Sequence, residues 1–303
     1  MDLLCIETKC DIYNIEKILN ENLDFLKEKI DIDRKIDKID DTFFIKYKLS
    51  ESDKKNEKYL KVVFRDYISN AICDIIFKIY QDKIIDRQIF SSFSYLDKEE
   101  KEKVKHKTTE YLRKNEYLNL EGIILKVNKR TKILKEILEY LENNDTLNID
   151  GFVNFRLKFY IDTIKDALEK NVEDFFIEKE YREFIKILQY FVEIQEPKLD
   201  ELNIIFRDEK YELIDNRNRL INDEFMQEIA NELYDIDINY DDLLISSLIT
   251  IAPKKIKIHL EDDIESDIIN IIKNVFIDKV TICDGCELCG FSVLMESSIN
   301  KEK

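Results

Sequence analysis

Glycine and proline together occupy only six of the 303 positions in this chain. An average composition of roughly 7% glycine and 5% proline would supply several times as many. These two residues provide the left-handed and pre-bent backbone that tight turns require, so an all-β architecture with many special turns is disfavoured. The chain is 44% hydrophobic and 37% charged, which also argues against extended disorder. The composition therefore points to a globular, helix-rich α+β fold.

A chain of this length can bury one large core or two ordinary ones. The polar, turn-rich segment Asn143–Gly151 separates two strongly periodic regions and is the expected boundary. Residues 1–145 are expected to form an N-terminal α/β helical domain and residues 146–290 a C-terminal α+β domain, with 291–303 as a tail. In the first half, Leu3–Glu7 and Phe43–Leu49 alternate as strands, and Gly122–Val127 is a third strand candidate. Helices are expected over Asp11–Ile30, Tyr59–Tyr80, Ile84–Phe90 and Lys98–Asn115, and through Leu134, Ile137, Leu138 and Leu141. Asp97 and Glu100 form a capping box at the start of the Lys98 helix. The polar stretch Ser50–Glu57 is an expected mobile loop.

In the second half, two stripes at helical spacing run through Phe152, Phe155, Phe159, Leu168 and Phe175, then Tyr181, Phe184, Leu188 and Phe191. Such stripes are expected to be core. Glu196-Pro197 ends the second one. Leu202–Phe206 and Tyr211–Ile214 read as a β-hairpin, and the turn at Asp215–Asn218 leads towards a short third strand. Helices are expected over Phe225–Tyr234 and Asp242–Ile251. Strand Lys255–His259, amphipathic helix Ile264–Phe276 and strand Lys279–Cys283 then compose a terminal βαβ unit.

A formal net charge of -17 repels phosphate backbones and anionic lipid. It argues against a general nucleic-acid or membrane-surface protein. The charge is unevenly distributed: residues 98–135 hold twelve Lys/Arg against six Asp/Glu, while 193–242 hold sixteen acids against five bases. The basic segment leaves nucleic-acid binding open as an alternative, although solvated helix faces are the favoured account of it. The start, MDLLCIETKC, lacks a basic n-region and a long apolar core, and Leu243–Ala252 is about half a membrane span. A cytoplasmic protein without membrane insertion is expected.

Reduced thiols in that compartment favour metal binding over disulfides for clustered cysteines. Three of the six cysteines form the run Cys283-Asp-Gly-Cys286-Glu-Leu-Cys289. Two-residue spacers let a tight loop turn successive sulfurs inward, and Gly285 lies within the loop. Parallel strands of a βαβ unit are neighbours, so their carboxyl ends emerge side by side. If Ile256, Ile258, Val280 and Ile282 face one core, His259 and Cys283 share the opposite face. Cys283, Cys286, Cys289 and His259 are thus the candidate ligands of a tetrahedral zinc site. The spacing also matches the first three ligands of a bacterial ferredoxin run, but position 293 is Val, so an iron–sulfur cluster would need a distant fourth ligand. An unliganded or redox-active thiol cluster and plain packing are the remaining alternatives. Cys5, Cys10 and Cys73 are expected to be small hydrophobes.

No phosphate-binding glycine loop, nucleophile-elbow serine or HExxH occurs. The carboxylates Glu173, Asp174, Glu178, Glu180 and Glu183 read as a solvated face in a chain of 65 acids. No catalytic constellation was found.

The stretch GFVNFRLKFY from Gly151, the run from Glu173 to Pro197, ITIAPKK from Ile249 and ICDGCELC from Ile282 resemble the YtxC-like sporulation protein family. The resemblance implies a cytosolic protein connected with sporulation and assigns no catalytic residues. Together with the cysteine run, it suggests action through unidentified protein partners. Within the quoted motifs, Arg156 stands beside Phe155 and is a candidate for binding an anion or a partner carboxylate.

Overall fold

Alternating burial along Asp2–Thr8 places Leu4, Ile6 and Thr8 on one buried face and defines β1. The computed structural model describes residues 2–27, 30–50, 57–114, 120–207, 210–217, 219–221, 240–260 and 267–289. The chain divides into two compact units, Met1–Phe176 and Ile177–Lys303. The architecture is helix-rich α+β with two small mixed sheets.

In the first unit, β1 is followed by α1 (Ile12–Lys27), β2 (Ile32–Ile39) and β3 (Thr42–Leu49). The helices α2 (Glu57–Ile75), α3 (Gln81–Ser92), α4 (Lys98–Lys114) and α5 (Leu120–Asn143) come next. A π-helical turn, Ile76–Tyr80, joins α2 to α3. β4 (Thr146–Asn148) then leads into α6 (Ile149–Arg156) and α7 (Lys158–Ile194). The sheet order is β2-β3-β1-β4, with β4 parallel to β1. Ile6, Ile15, Leu19, Ile45, Ile68 and Ile137 are fully buried and seat the helices on this sheet.

The expected capping box at the start of α4 is met at atomic detail. The Asp97 carboxylate accepts from the Glu100 N–H at 2.9 Å, and the Glu100 carboxylate accepts from the Asp97 N–H at 3.0 Å. Both halves of the capping box are therefore formed. Asn148 caps α6 by accepting from the Gly151 N–H at 2.8 Å. A Cβ at position 151 would lie 3.3 Å from that Asn148 oxygen, so the close cap favours glycine there.

Other expectations require correction. Gly122–Val127 is helical and belongs to α5, because a short apolar run has no period that separates strand from helix and the periodic segment after it carries the helix backward. The polar turn expected to divide the chain contains β4, whose hydrogen bonds to β1 hold it within the first unit. β2 escaped the sequence reading because IDRKIDKI is mostly charged and largely exposed as an edge strand. The aromatic stripes are only partly core: Phe152 and Phe175 are buried, but Phe155, Tyr181, Phe184 and Phe191 are exposed. Both stripes after Leu157 lie on the single helix α7. Arg156 pairs with Glu136 at 3.9 Å and lies over the Tyr140 ring. Residues 51–56 of the expected mobile loop, the expected helix Phe225–Tyr234 and the tail 291–303 lie outside the described residues.

The second unit begins within α7 and includes the hairpin β5 (Leu202–Arg207) and β6 (Lys210–Asp215). The turn after β6 supports an isolated bridge between Ile214 and Leu220 where a third strand was expected. Helix α8 (Tyr240–Ile251), strand β7 (Ile256–Leu260), helix α9 (Asp267–Phe276) and strand β8 (Val280–Ile282) follow. The sheet order is β6-β5-β7-β8, with β5, β7 and β8 mutually parallel. Ile268, Ile269, Ile272, Val275 and Phe276 are buried, so α9 lays its apolar face on the core that holds Ile204, Ile256 and Ile258. From α7, Gln189 donates to the Asn274 carbonyl at 2.9 Å and anchors that helix to α9. The terminal βαβ unit is thus β7-α9-β8.

Candidate metal centre

The register of the βαβ unit determines what stands at its carboxyl edge. Ile256 pairs with Val280 and Ile258 with Ile282, and the Cys283 N–H donates to the Ile258 carbonyl at 2.8 Å. The ladder continues one step past β8, so Cys283 follows Ile282 as His259 follows Ile258. Alternation turns both away from the face that carries Ile256 and Ile258, which are fully buried. Val280 packs against this core, but Ile282 is 43% exposed, because a three-residue edge strand leaves its last position uncovered. The expected shared apolar face therefore ends at Val280.

After Cys283 the chain turns back through Gly285, whose φ of +121° is a conformation that side chains rarely adopt. The Cys289 N–H donates to the Cys286 carbonyl at 3.0 Å and closes the second turn. Cys286 Sγ lies 3.3 Å from His259 Nδ1, Cys289 Sγ lies 3.4 Å from the same nitrogen, and the two sulfurs are 3.9 Å apart. All four donor atoms, including Cys283 Sγ, fall within 4.8 Å of one another. Four ligands around one tetrahedral ion, with Zn–S near 2.3 Å and Zn–N near 2.05 Å, would place sulfurs about 3.8 Å apart and nitrogen about 3.6 Å from sulfur. The donor set and its spacing are compatible with a single metal ion.

The surroundings favour the ligating forms at two of these positions. Burial lowers the His259 pKa, with a smaller push from Lys257 and opposition from Glu201, so the ring is held neutral. Burial works against a thiolate at Cys286, but the N–H groups of Cys289 and Leu288 and the neighbouring thiols outweigh it and lower its pKa. The Cys289 thiol is raised, first by burial and then by the adjacent Cys283 and Cys286. Cys286 therefore ionises ahead of Cys289, and a cation between them would relieve the repulsion that holds the second proton.

The far side of the imidazole was not anticipated from sequence. Asn203 on β5 places Oδ1 3.0 Å from His259 Nε2, and both residues are buried. Its signal was an amide in the otherwise apolar run LNIIF, since asparagine is depleted in strands and a buried polar group requires a partner. The other three cysteines belong to the first unit: Cys10 and Cys73 are buried, and Cys5 is half-buried. Burial pushes the Cys73 thiol up to about 12, which makes it inert at neutral pH. The carboxylates Glu173, Asp174, Glu178, Glu180 and Glu183 are all exposed. Among the described residues no helix is long and apolar enough to cross a membrane.

Fold and site together define a helix-rich α+β protein with a His/Cys3 group at the edge of its terminal sheet. The chain belongs to the YtxC-like family, which it matches over residues 66–281. That range includes His259 and ends two residues before Cys283. The chain is similar to a Bacillus subtilis (strain 168) protein called "Uncharacterized protein YtxC", with 24% identity over 156 residues. The similarity covers 52% of this chain and 55% of that relative, so the chain spans about half the relative's length. No solved structure matches the chain.

Proposed function

We propose that Cys283, Cys286, Cys289 and His259 form a structural zinc site that clasps the carboxyl edge of the β7-α9-β8 unit. The observation that carries this reading is the convergence of one imidazole nitrogen and three sulfurs within 4.8 Å of one another, with His259, Cys286 and Cys289 close to the spacing of a tetrahedral ion. Four protein ligands would fill the coordination shell and leave no position for substrate, which is the pattern of structural rather than catalytic zinc. Such an ion would tie β7 to the loop after β8, where the ladder is shortest. The biological reading, a cytosolic protein acting in sporulation through protein partners, rests on the resemblance of the motifs to the YtxC-like sporulation protein family.

Zinc and iron measured per chain, after purification without chelator, test the site. About one zinc per chain is expected, and a metal-free, fully folded protein would overturn the reading. A brown protein with bound iron would support the iron–sulfur alternative. That alternative is disfavoured by donor atoms that lie close enough to share one ion. A deletion strain scored for spore yield tests the biological setting, and normal sporulation would count against it.

A further inference from the structure

An imidazole offers a metal only the nitrogen that carries no proton, so the partner of its other nitrogen decides which edge can ligate. In this protein the sulfurs gather at Nδ1: Cys286 at 3.3 Å and Cys289 at 3.4 Å. Among the described residues, Nε2 meets the side-chain oxygen of Asn203, at 3.0 Å. His259 is 1% exposed and Asn203 is 6% exposed, so the contact is shielded from water. Parallel pairing of Asn203 with Lys257 and of Ile205 with His259 places Asn203 and His259 on the same sheet face, two positions apart along neighbouring strands.

Resting on the zinc reading above, we infer that Asn203 is the outer-sphere positioning residue of the site, accepting the His259 Nε2 proton and thereby presenting a bare Nδ1 to the metal. The amide oxygen can only accept, which favours the Nε2–H tautomer and fixes the ring plane. A neutral amide performs this task without adding a negative charge to three thiolates, which already outweigh a divalent cation by one. The contact also carries the site beyond the βαβ unit. Through Asn203, the hairpin strand β5 takes part in positioning a metal whose ligands all lie on or beyond β7. The placement explains why a buried amide interrupts an otherwise apolar strand: replaced by leucine it would pack, but the imidazole would lose its partner.

Two measurements on the full chain test the assignment, each with Asn203→Leu and Asn203→Asp beside the wild type. Long-range nitrogen–proton NMR of metal-free protein reads the His259 tautomer. Titration with cobalt(II), followed by its thiolate charge-transfer and d–d bands, reads affinity and ligand geometry. The wild type is expected to hold the Nε2–H tautomer. Asn203→Leu should mix the tautomers and weaken cobalt binding by roughly 10- to 100-fold, the usual cost of losing an outer-shell partner. Asn203→Asp keeps an acceptor and should restore both readouts, which separates positioning from a packing defect. A wild-type Nδ1–H tautomer, or unchanged cobalt affinity in Asn203→Leu, overturns the inference. A wild type with the Nε2–H tautomer but no cobalt affinity overturns the metal reading instead, and leaves the hydrogen bond without a metal to serve.

Discussion

The backbone N–H of Cys283 donates to the carbonyl of Ile258 at 2.8 Å, extending the parallel ladder one residue beyond β8. This single bond sets the first thiol beside His259. It turns a cysteine run with flexible spacers into a group with one fixed edge. The site is therefore anchored by sheet register at Cys283 and His259, and completed by two turns that bring in Cys286 and Cys289.

Replacing His259 with alanine removes the buried imidazole of the proposed site while leaving three thiols. Zinc retention in competition with a chromophoric chelator should fall by more than the roughly 10- to 100-fold typical of an outer-shell loss. Retention equal to wild type would place the fourth ligand elsewhere.

Ile258 lies directly before His259 and is fully buried in the core of the second unit. Ile258→Ala should destabilise that unit by about 2–5 kcal/mol through lost transfer energy and the cavity left behind. Urea unfolding followed by circular dichroism measures the loss, and a change below about 1 kcal/mol would mean that the core closes around the gap.

The capping box at α4 is reciprocal and exposed, so its loss should be local and modest. Asp97→Ala should cost about 1 kcal/mol, since one N–H near the helix start loses its acceptor. The readout is the denaturation midpoint at unchanged slope; no shift would mean that water replaces the cap at no cost.

Asp215 receives N–H donors from Arg219 at 2.9 Å and Arg217 at 2.8 Å, and its other oxygen pairs with the Arg219 guanidinium at 2.7 Å. The Arg219 backbone N–H leads in holding the carboxyl below its ordinary 3.8, with the Arg219 side chain and the Arg217 N–H adding to it. A depressed folded-state pKa contributes stability above the ordinary value and loses it as pH falls through the lower folded value. Wild-type stability should therefore decline as pH drops below about 4, and Asp215→Asn should show a shallower decline there. Thermal melts across that range decide it, and identical slopes would remove Asp215 as a contributor.

Local signals were legible because their causes are local. The Asp97–Glu100 box, the hairpin around 207–210 and the period of α9 each follow from residues within a few positions of one another. What escaped depended on distant pairing. β4 is a strand because β1 lies beside it, and three residues of sequence carry no period. Segment 120–127 is helical because it continues α5. Phe184 and Phe191 have core chemistry but stand exposed, and a stripe on a helix does not record which part of it a neighbour covers.

At the site, the sequence by itself determined the donor chemistry. Three thiols at two-residue spacing, a glycine able to turn between them and one histidine on a βαβ strand are composition and spacing, and they suffice to name a candidate donor set. Only the tertiary structure decided the arrangement. It turned Nδ1 rather than Nε2 towards the sulfurs and set Asn203, 56 residues before His259, against the other nitrogen. The physical reason is register: hydrogen bonds between β5, β7 and β8 fix which side chains share a face, and sequence spacing carries no record of which strands will become neighbours.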